Sequence, residues 1–336
     1  MKNVILTDTS YKGDVVKFSG RLNKHVPFEV IACQCNAPFY HTKIGKLVRQ
    51  IIYFVFPLWF VLFRRFKYGT VFAWQQFFGI NVAFWSRVFN LKKRNHLIIN
   101  TFIAGTGGGY LSRLRFRYVR YAVSSKYVDK IICHTETEPQ HYAKMFDIPV
   151  ERFVFIPLGM TIENEEKIEK GDYIFSTGRS NRDYEWLINT FGGKDIKVRI
   201  ACAGYHYKGD ANMNNIEILQ HCYGNEMQKE MAKSFCVVVP LKDSNISSGQ
   251  LVILQALSIG KPVIVTNSDT AEQYIQNNDS GFIVNKNTTD VVRIVLSLKA
   301  DSTLYEKISK NAKEVFQNKF SIEGFAEQVW KKTIAK

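Results

Sequence analysis

Between Glu29 and Asp129 this chain of 336 residues contains no aspartate or glutamate. Ordinary solvated surfaces intersperse both signs, so the gap excludes a neutral face over that stretch. Cysteine is sparse as well. Residues 33, 35, 133, 202, 222 and 236 lie scattered through apolar runs. Cys33-x-Cys35 has no second Cys or His pair at zinc-ligand spacing, so neither a disulfide scaffold nor a zinc module is expected. No signal-peptide layout opens the chain, since Met1-Lys2-Asn3 passes at once into VILT, and a reduced, cytoplasmic protein is expected. Internal repeats and low-complexity segments are missing too. With 46% apolar and 22% charged residues the chain is globular rather than disordered. Its length suits two domains.

The charge that is present sits in one half. Residues 1–160 hold 23 Lys and Arg against 8 acids, whereas residues 161–336 hold 22 against 22. The net +15 therefore belongs to the first half. Fifteen cations, from Lys43 through Arg64, Arg87 and Arg113 to Lys126, fall inside the acid-free gap. A field of this kind attracts phosphate, whether in nucleic acid, anionic lipid or a phosphorylated substrate.

Among these cations runs IIYFVFPLWFVLF (51–63), flanked by Arg49 and Arg64-Arg65. As a helix it would be roughly 20 Å long, short of the hydrocarbon core, and Pro57 is expected to interrupt it. FAWQQFFGINVAFW (72–85) adds six aromatics beside Arg87. Two readings stand: core helices of a large domain, or a segment lying in an anionic lipid interface. The aromatics do not alternate with cations as stacking platforms do, which counts against nucleic acid.

Short β-branched runs recur with helical stretches between them. They begin at NVILT (3–7), FEVIA (28–32), TVFAW (70–74), HLIINTF (96–102), DKIICH (129–134) and RFVFIP (152–157). The second half continues with YIFST (173–177), KVRIAC (197–202), NIEIL (215–219), FCVVVP (235–240), PVIVT (262–266) and GFIV (281–284). This alternation predicts an α/β protein of two doubly wound, Rossmann-like domains. The acidic ENEEKIEKGD (163–172) marks the linker. We expect a basic domain over 1–160, a second domain over 161–318, and an amphipathic C-terminal helix over 319–336 with Ile322, Phe325, Val329 and Trp330 on one face.

Ligands of such domains lie beyond the carboxyl ends of the strands, and two loops stand out there. In PLKDSNISSGQLVILQALSIGKPVIVT (240–266) a strand leads through a polar loop to a helix opening near Ser248-Gly249. Free N–H groups at its start form an anion site, and Gly249 lacks the Cβ that would block a phosphate. Ser247 or Ser248 could equally be a simple cap. In YIFSTGRSNRDYEWL (173–187) a strand turns at Gly178 into a helix, with Arg179 and Arg182 placed for a diphosphate. Here too a plain alternative exists, with Arg182 and Asp183 forming surface pairs or a cap.

STGRSNRDYEWLI, ISSGQLVILQALSIGKPVIVT and the trailing AEQYIQNNDSGFIV together resemble the C-terminal half of the retaining glycosyltransferases of family 4, nucleotide-sugar enzymes with the GT-B fold, two such domains facing a cleft. The resemblance covers about residues 150–300, PLGM (157–160) included, and implies an acceptor-binding, membrane-facing domain over 1–160 and a nucleotide-sugar donor-binding domain over 161–318. It implies that Arg179 and Arg182 neutralise the donor diphosphate and that N–H groups at Ser247, Ser248, Gly249 and Gln250 hold its oxygens. It also implies that His221, Cys222 and Tyr223 border the base. The family usually has two glutamates eight residues apart, where this chain has Ser247 and Gln255; Gln255 can still bond a ribose hydroxyl. The family's Lys after the Gly-Arg turn is missing, with Arg182 the nearest substitute, and no first-domain His follows HLIINTF.

The mechanism so implied needs neither metal nor cofactor. Arg and helix-terminal N–H groups cancel charge on the leaving nucleoside diphosphate. The acceptor hydroxyl attacks from the leaving-group side, and the departing phosphate takes its proton. Gly105-Thr-Gly-Gly-Gly109 departs from a dinucleotide fingerprint, and Gly105, Gly107 and Gly108 are expected to form an acceptor-side loop. His134-Thr-Glu-Thr-Glu-Pro-Gln-His141 lacks the spacing of a helical zinc motif and is expected to open a helix with its acids at the positive end. The reading is a glycosyltransferase on the inner face of the cytoplasmic membrane. It would move sugar from a nucleotide-diphosphate sugar to a lipid-linked saccharide in assembly of a surface polysaccharide such as O-antigen, capsule or exopolysaccharide. The competing readings are an NAD-dependent epimerase or dehydrogenase using GTGGG, and a nucleic-acid-binding protein using the basic half.

Overall fold

The computed structural model describes residues 1–8, 13–35, 39, 42–104, 109–161, 167–207, 213–244 and 247–335. The chain divides into two compact units, Met1–Thr161 with Ile322–Lys336, and Ile162–Ser321. The expected acceptor-side glycines Gly105, Gly107 and Gly108 lie outside the described residues.

The first unit holds strands β1 (Lys2–Thr7), β2 (Phe28–Ala32), β3 (Tyr68–Ala73), β4 (His96–Ile99), β5 (Lys130–Cys133) and β6 (Phe153–Phe155). They form one parallel sheet in the order β2-β1-β3-β4-β5-β6. Its helices are α1 (Asp14–Leu22), α2 (Lys43–Trp59), α3 (Gln76–Val88), α4 (Tyr110–Val123) and α5 (Glu138–Phe146). Alternate residues of each strand enter opposite cores. Val4, Leu6, Leu97 and Ile99 face one, and Ile5, Ile98 and Ile132 face the other. Burial on both faces is why these strands read as unbroken apolar runs.

The second unit holds β7 (Tyr173–Thr177), β8 (Lys197–Ala201), β9 (Ile216–Leu219), β10 (Cys236–Val239), β11 (Val263–Thr266) and β12 (Phe282–Val284). These too are parallel, in the order β12-β11-β10-β7-β8-β9. Helices α6 (Tyr184–Phe191), α7 (Asn225–Lys233), α8 (Gln250–Ser258), α9 (Asp269–Tyr274), α10 (Thr288–Ala300) and α11 (Ser302–Lys319) belong to this unit.

The last helix, α12 (Ile322–Val329), returns to the first unit. Ile322, Phe325, Ala326 and Val329 close the core that contains Phe18 and Leu22 of α1. Its polar side is tied down as well. Glu327 accepts from Arg21 at 3.1 Å, and His25 stacks on Trp330 at 4.7 Å.

The expected break at Pro57 does not occur. α2 passes through Pro57 and on into a π-helical turn (Phe60–Arg64) and a 3-10 turn (Arg65–Lys67). The stretch Ile44–Lys67 is 24 residues long, and by length and composition alone it could cross a membrane. Proline lacks the N–H that would bond the carbonyl four residues earlier. That carbonyl, on Tyr53, accepts instead from Asn81 Nδ2 of α3 at 2.8 Å. The next one, on Phe54, accepts from Trp85 Nε1 at 3.0 Å. Tyr118 of α4 donates to Asn81 Oδ1, so one buried amide joins three helices.

His134 follows β5 directly, 5% exposed, where burial pushes its pKa down to about 4. The Ile156 carbonyl can only accept, so Nδ1 carries the proton (2.9 Å) and Nε2 accepts from Thr101 Oγ1 at 3.1 Å. As expected, the following loop opens a helix with an acid at its start. Glu138 Oε2 receives the N–H groups of His134 and Thr135 at 2.8 and 3.0 Å. A buried base held neutral stabilises the fold fully above its unfolded pKa near 6.5. That contribution should fall away between about pH 6.5 and 4, by about 3 kcal/mol, because only the unfolded chain gains the proton there. Urea midpoints of wild type and His134→Gln across that range should converge as pH falls; parallel curves would exclude it.

Candidate active site

In the second unit the strand order reverses between β7 and β10. Open α/β sheets bind ligands at the carboxyl edge of such a switch point. The two loops singled out by sequence both emerge there, one after each strand.

Those loops are stitched together by Asn181, which the sequence reading passed over. Its Oδ1 accepts from Asp243 N (2.8 Å), and its Nδ2 donates to Asp243 O (2.8 Å) and Ser248 Oγ (3.0 Å). Its carbonyl accepts from Lys242 N, and Asp183 N donates to Pro240 O. Asn181 has φ 54°, a left-handed conformation that Asn adopts at low cost. An Asn between two arginines after a Gly turn was the available signal. Asp183 does cap α6, accepting from Trp186 N at 3.1 Å, and it also meets Lys286 at 2.6 Å. Burial raises its carboxyl pKa, but Lys286 and the Trp186 N–H outweigh that and hold it below the usual range.

Arg182 is more enclosed than a free phosphate clamp. Its Nε donates to Thr177 O at 3.0 Å and Nη1 to Ser180 O at 2.7 Å. Burial lowers its pKa, with Tyr184 and Cys202 acting the other way, and the guanidinium stays charged. Gly178, at φ 117°, lies against it; a Cβ there would come within 2.5 Å of Nη2. Arg179 stands exposed one residue on. Both cations act on Cys202, whose thiol burial raises while Tyr184, Arg179 and Arg182 lower it.

α8 opens at Gln250 behind Gly249 and has no side-chain cap. Neither Ser247 nor Ser248 is therefore its cap. Ile253 N is the first amide bonded back, to Gly249 O. The amides of Gln250, Leu251 and Val252 begin the helix without an intrahelical partner, carrying the positive end of its dipole. Gly249 has φ 91°, and a Cβ there would sit 3.3 Å from both Leu241 and Val239, 3.9 Å from Arg182 Nη1. Its glycine thus serves the turn and the packing. Ser248 N donates to Thr270 Oγ1 at 3.2 Å and so is already engaged, while Gln250 Nε2 donates to Ser247 Oγ.

The structure thus brings Gly178, Arg179, Arg182, Ser247, Ser248, Gly249 and Gln250 to one edge of one sheet. Gln255 lies farther along α8, half-buried. His221 and Tyr223 follow β9, two strands away from β7, and are exposed. Chemically the edge offers two guanidinium groups and a bare helix N-terminus, which together stabilise a phosphate anion. No group of three or more metal-ligating side chains occurs among the described residues.

Residues 206–315 match the family model for glycosyl transferases group 1, a segment that includes the β10 loop and α8. No curated protein sequence matches the chain significantly. Among solved structures, Anabaena Alr3699/HepE in complex with UDP-glucose is 14% identical, with TM-score 0.66 and 98% of each chain covered. Sucrose-phosphate synthase from Thermosynechococcus elongatus is 12% identical, TM-score 0.70, again over 98% of each chain. A glycosyltransferase from Rickettsia africae ESF-5 is 14% identical, TM-score 0.66, over 100% of both. The chain therefore has the two-domain α/β fold of the GT-B glycosyltransferases, and within it 206–315 matches the group 1 glycosyl transferase model.

Asn181→Ala should lower stability by roughly 2 kcal/mol, since it removes three hydrogen bonds worth about 1 kcal/mol each with partial solvent compensation. The denaturant midpoint should drop accordingly. Exposed Arg179→Ala should leave it within about 0.5 kcal/mol of wild type.

Proposed function

From a GT-B fold with a group 1 glycosyltransferase segment, we propose that this chain transfers a sugar from a nucleotide-diphosphate sugar to an acceptor hydroxyl. The observation that carries this is the stitched pair of loops at the β7/β10 switch point. They gather Arg179, Arg182 and the uncapped start of α8. In the reaction the bond from the anomeric carbon to the diphosphate breaks and a glycosidic bond forms. The two guanidinium groups and the α8 amides take up charge on the leaving diphosphate. The acceptor attacks from the leaving-group side and gives its proton to the departing phosphate, so configuration is retained and no metal ion is called upon. The Anabaena relative's complexes with UDP and UDP-glucose favour a donor of this class.

Thermal unfolding with UDP, GDP, ADP, CMP, their sugar conjugates and NAD tests the donor side. A ligand at a hundred times its Kd adds about 2.7 kcal/mol to the folded state. One nucleoside diphosphate and its sugar should raise the midpoint, and Arg179→Ala should abolish the shift. A response to NAD alone would transfer the chain to the dehydrogenase class.

The acceptor side reads as lipid-linked, a saccharide of surface-polysaccharide assembly reached from the inner face of the cytoplasmic membrane. α2 and its extension support this. Leu47, Ile51, Val55, Leu62 and Phe63 stand exposed along one side, Phe63 by 66%. Cations follow closely, with Lys46 and Lys67 exposed on the same helix and Lys92, Lys93 and Arg94 exposed nearby in sequence. The opposite side is built into the unit, with Tyr53, Phe60 and Val61 buried and two carbonyls held by α3. Crossing the bilayer would tear those contacts away, which supports a helix lying in the plane of the interface. At about 150 mM salt the protein should sediment with phosphatidylglycerol vesicles, and Leu62→Glu with Phe63→Glu should cut binding at least tenfold. Failure of the wild type to sediment would sink this placement.

A further inference from the structure

The turn that ends the α2 extension (Arg65–Lys67) and the segment that leads into β4 meet at the amino end of the first unit's sheet. That is the end opposite the one where such sheets take their reacting ligands. Asn95 joins the two segments, its Nδ2 donating to the carbonyls of Arg65 (3.0 Å) and Tyr68 (2.6 Å). Arg65 is only 5% exposed there, and among the described residues its one hydrogen bond runs from Nη1 to Lys92 O at 3.1 Å. Nε is buried with no acceptor, and Nη2, equally without one, is not enclosed. No carboxylate pairs with this guanidinium among the described residues. The two acids that bound the acid-free gap are both taken, Glu29 by Arg64 at 3.4 Å and Asp129 by Lys93 at 2.6 Å. A buried cation without a counter-ion is costly, and a guanidinium cannot shed its proton to escape that cost.

A second guanidinium stands beside the first. Arg65 Cζ lies 4.8 Å and Arg94 Cζ 5.7 Å from the centre of the same Phe66 ring. Burial lowers the pKa of Arg65 and the charge of Arg94 lowers it further, with Tyr127 acting the other way. Two like charges held on one ring repel each other, and an anion between them turns that repulsion into attraction. The planar fork of each matches phosphate oxygens. Apolar side chains border the pair, since Leu62, Phe63 and Phe66 of the α2 extension are all exposed.

We propose that Arg65 and Arg94 form a phosphate site at the amino edge of the first unit's sheet, filled by the head-group phosphate of an anionic lipid. Arg65 Nη2 supplies the fixed donor, and exposed Arg94 closes on the same phosphate from the solvent side. The apolar neighbours favour a lipid over free phosphate, because they offer the glycerol and first acyl carbons a surface that a bare ion cannot use. The site is separate from the donor diphosphate edge, which belongs to the other unit. Assignment to a lipid rests on the interfacial placement of α2; the phosphate chemistry does not.

The probe is dihexanoylphosphatidylglycerol, kept monomeric and followed by broadening of its phosphorus NMR line on the full chain, with inorganic phosphate as the second arm. Wild type should broaden the lipid line. Arg94→Lys keeps the charge but loses the fork, and it should weaken the lipid about tenfold. Arg65→Gln should weaken it at least as far, while its ligand-free thermal midpoint holds or rises because an unpaired buried charge is gone. Inorganic phosphate should bind about tenfold more weakly than the lipid. Nucleoside-diphosphate affinity should be unchanged in both variants. Equal lipid affinity in wild type and Arg94→Lys would mean a diffuse positive field and overturns the site, as does a lipid line that wild type leaves sharp. A lowered midpoint in Arg65→Gln with lipid binding intact would make Arg65 structural only and overturns it too. Phosphate bound as tightly as the lipid, both weakened in the variants, removes the lipid as the source. The monomeric lipid needs no bilayer, so a wild type that binds it yet fails to sediment with vesicles keeps the site and loses the interfacial placement.

Discussion

A parallel sheet covered on both faces leaves its ligands only one place to go. The central strand interiors are buried from above and below, in the first unit Ile5 and Ile98 on one side, Val4 and Leu97 on the other. The backbone groups and side chains that remain free are those beyond the strand ends, and connections diverge only where the strand order reverses. The β7/β10 and β1/β3 junctions are therefore dictated by topology before any residue is named. What residue chemistry adds is the holding of loops, which would otherwise drift, in a fixed relation to the edge.

Asn181 does that in the second unit by imitating a strand partner. Its amide exchanges two hydrogen bonds with the Asp243 backbone, much as a ladder pair would, and then takes Ser248 as well. Arg182 occupies the space beneath, satisfying the carbonyls of Thr177 and Ser180. A cation spent partly on carbonyls is held rigidly, and preorganised charge is what a leaving diphosphate gains from most. Arg179 stands exposed one residue after Gly178. Under the proposed reaction Arg182 is the framework and Arg179 the contact.

Much of this was legible in the sequence. The twelve β-branched runs all became strands, because burial on both faces leaves a continuous apolar signal that tolerates little ambiguity. The α8 start after Ser248-Gly249 was legible for the same reason that Gly178 was, since each is a glycine punctuating a strand-to-helix turn. Two features were hidden. Pro57 looked like a helix break because its rescue comes from Asn81 and Trp85, some thirty residues away. Ser248 looked available because Thr270, which occupies its N–H, is remote in sequence. Local chemistry reads directly from sequence, whereas hydrogen-bond partners across the fold do not.

The two units are alike in topology class and different in where they place their cations. The second unit, neutral in net charge over its half of the sequence, concentrates cations and bare N–H donors at its switch point. The first unit carries the whole positive excess, and it spreads its cations over the surface, Lys46, Lys67, Lys92, Lys93 and Arg94 among the exposed ones. Global charge and local hydrogen-bond polarity are thus set independently. A surface field acts over about a Debye length of 8–10 Å and recruits an anionic partner from solution or membrane. Buried donors and acceptors act only at contact and choose what reacts. Glycosyl transfer needs one partner of each polarity, an anion that leaves and a hydroxyl that arrives. Under the proposed reaction, the edge of donors at β7 and β10 suits the anion that leaves.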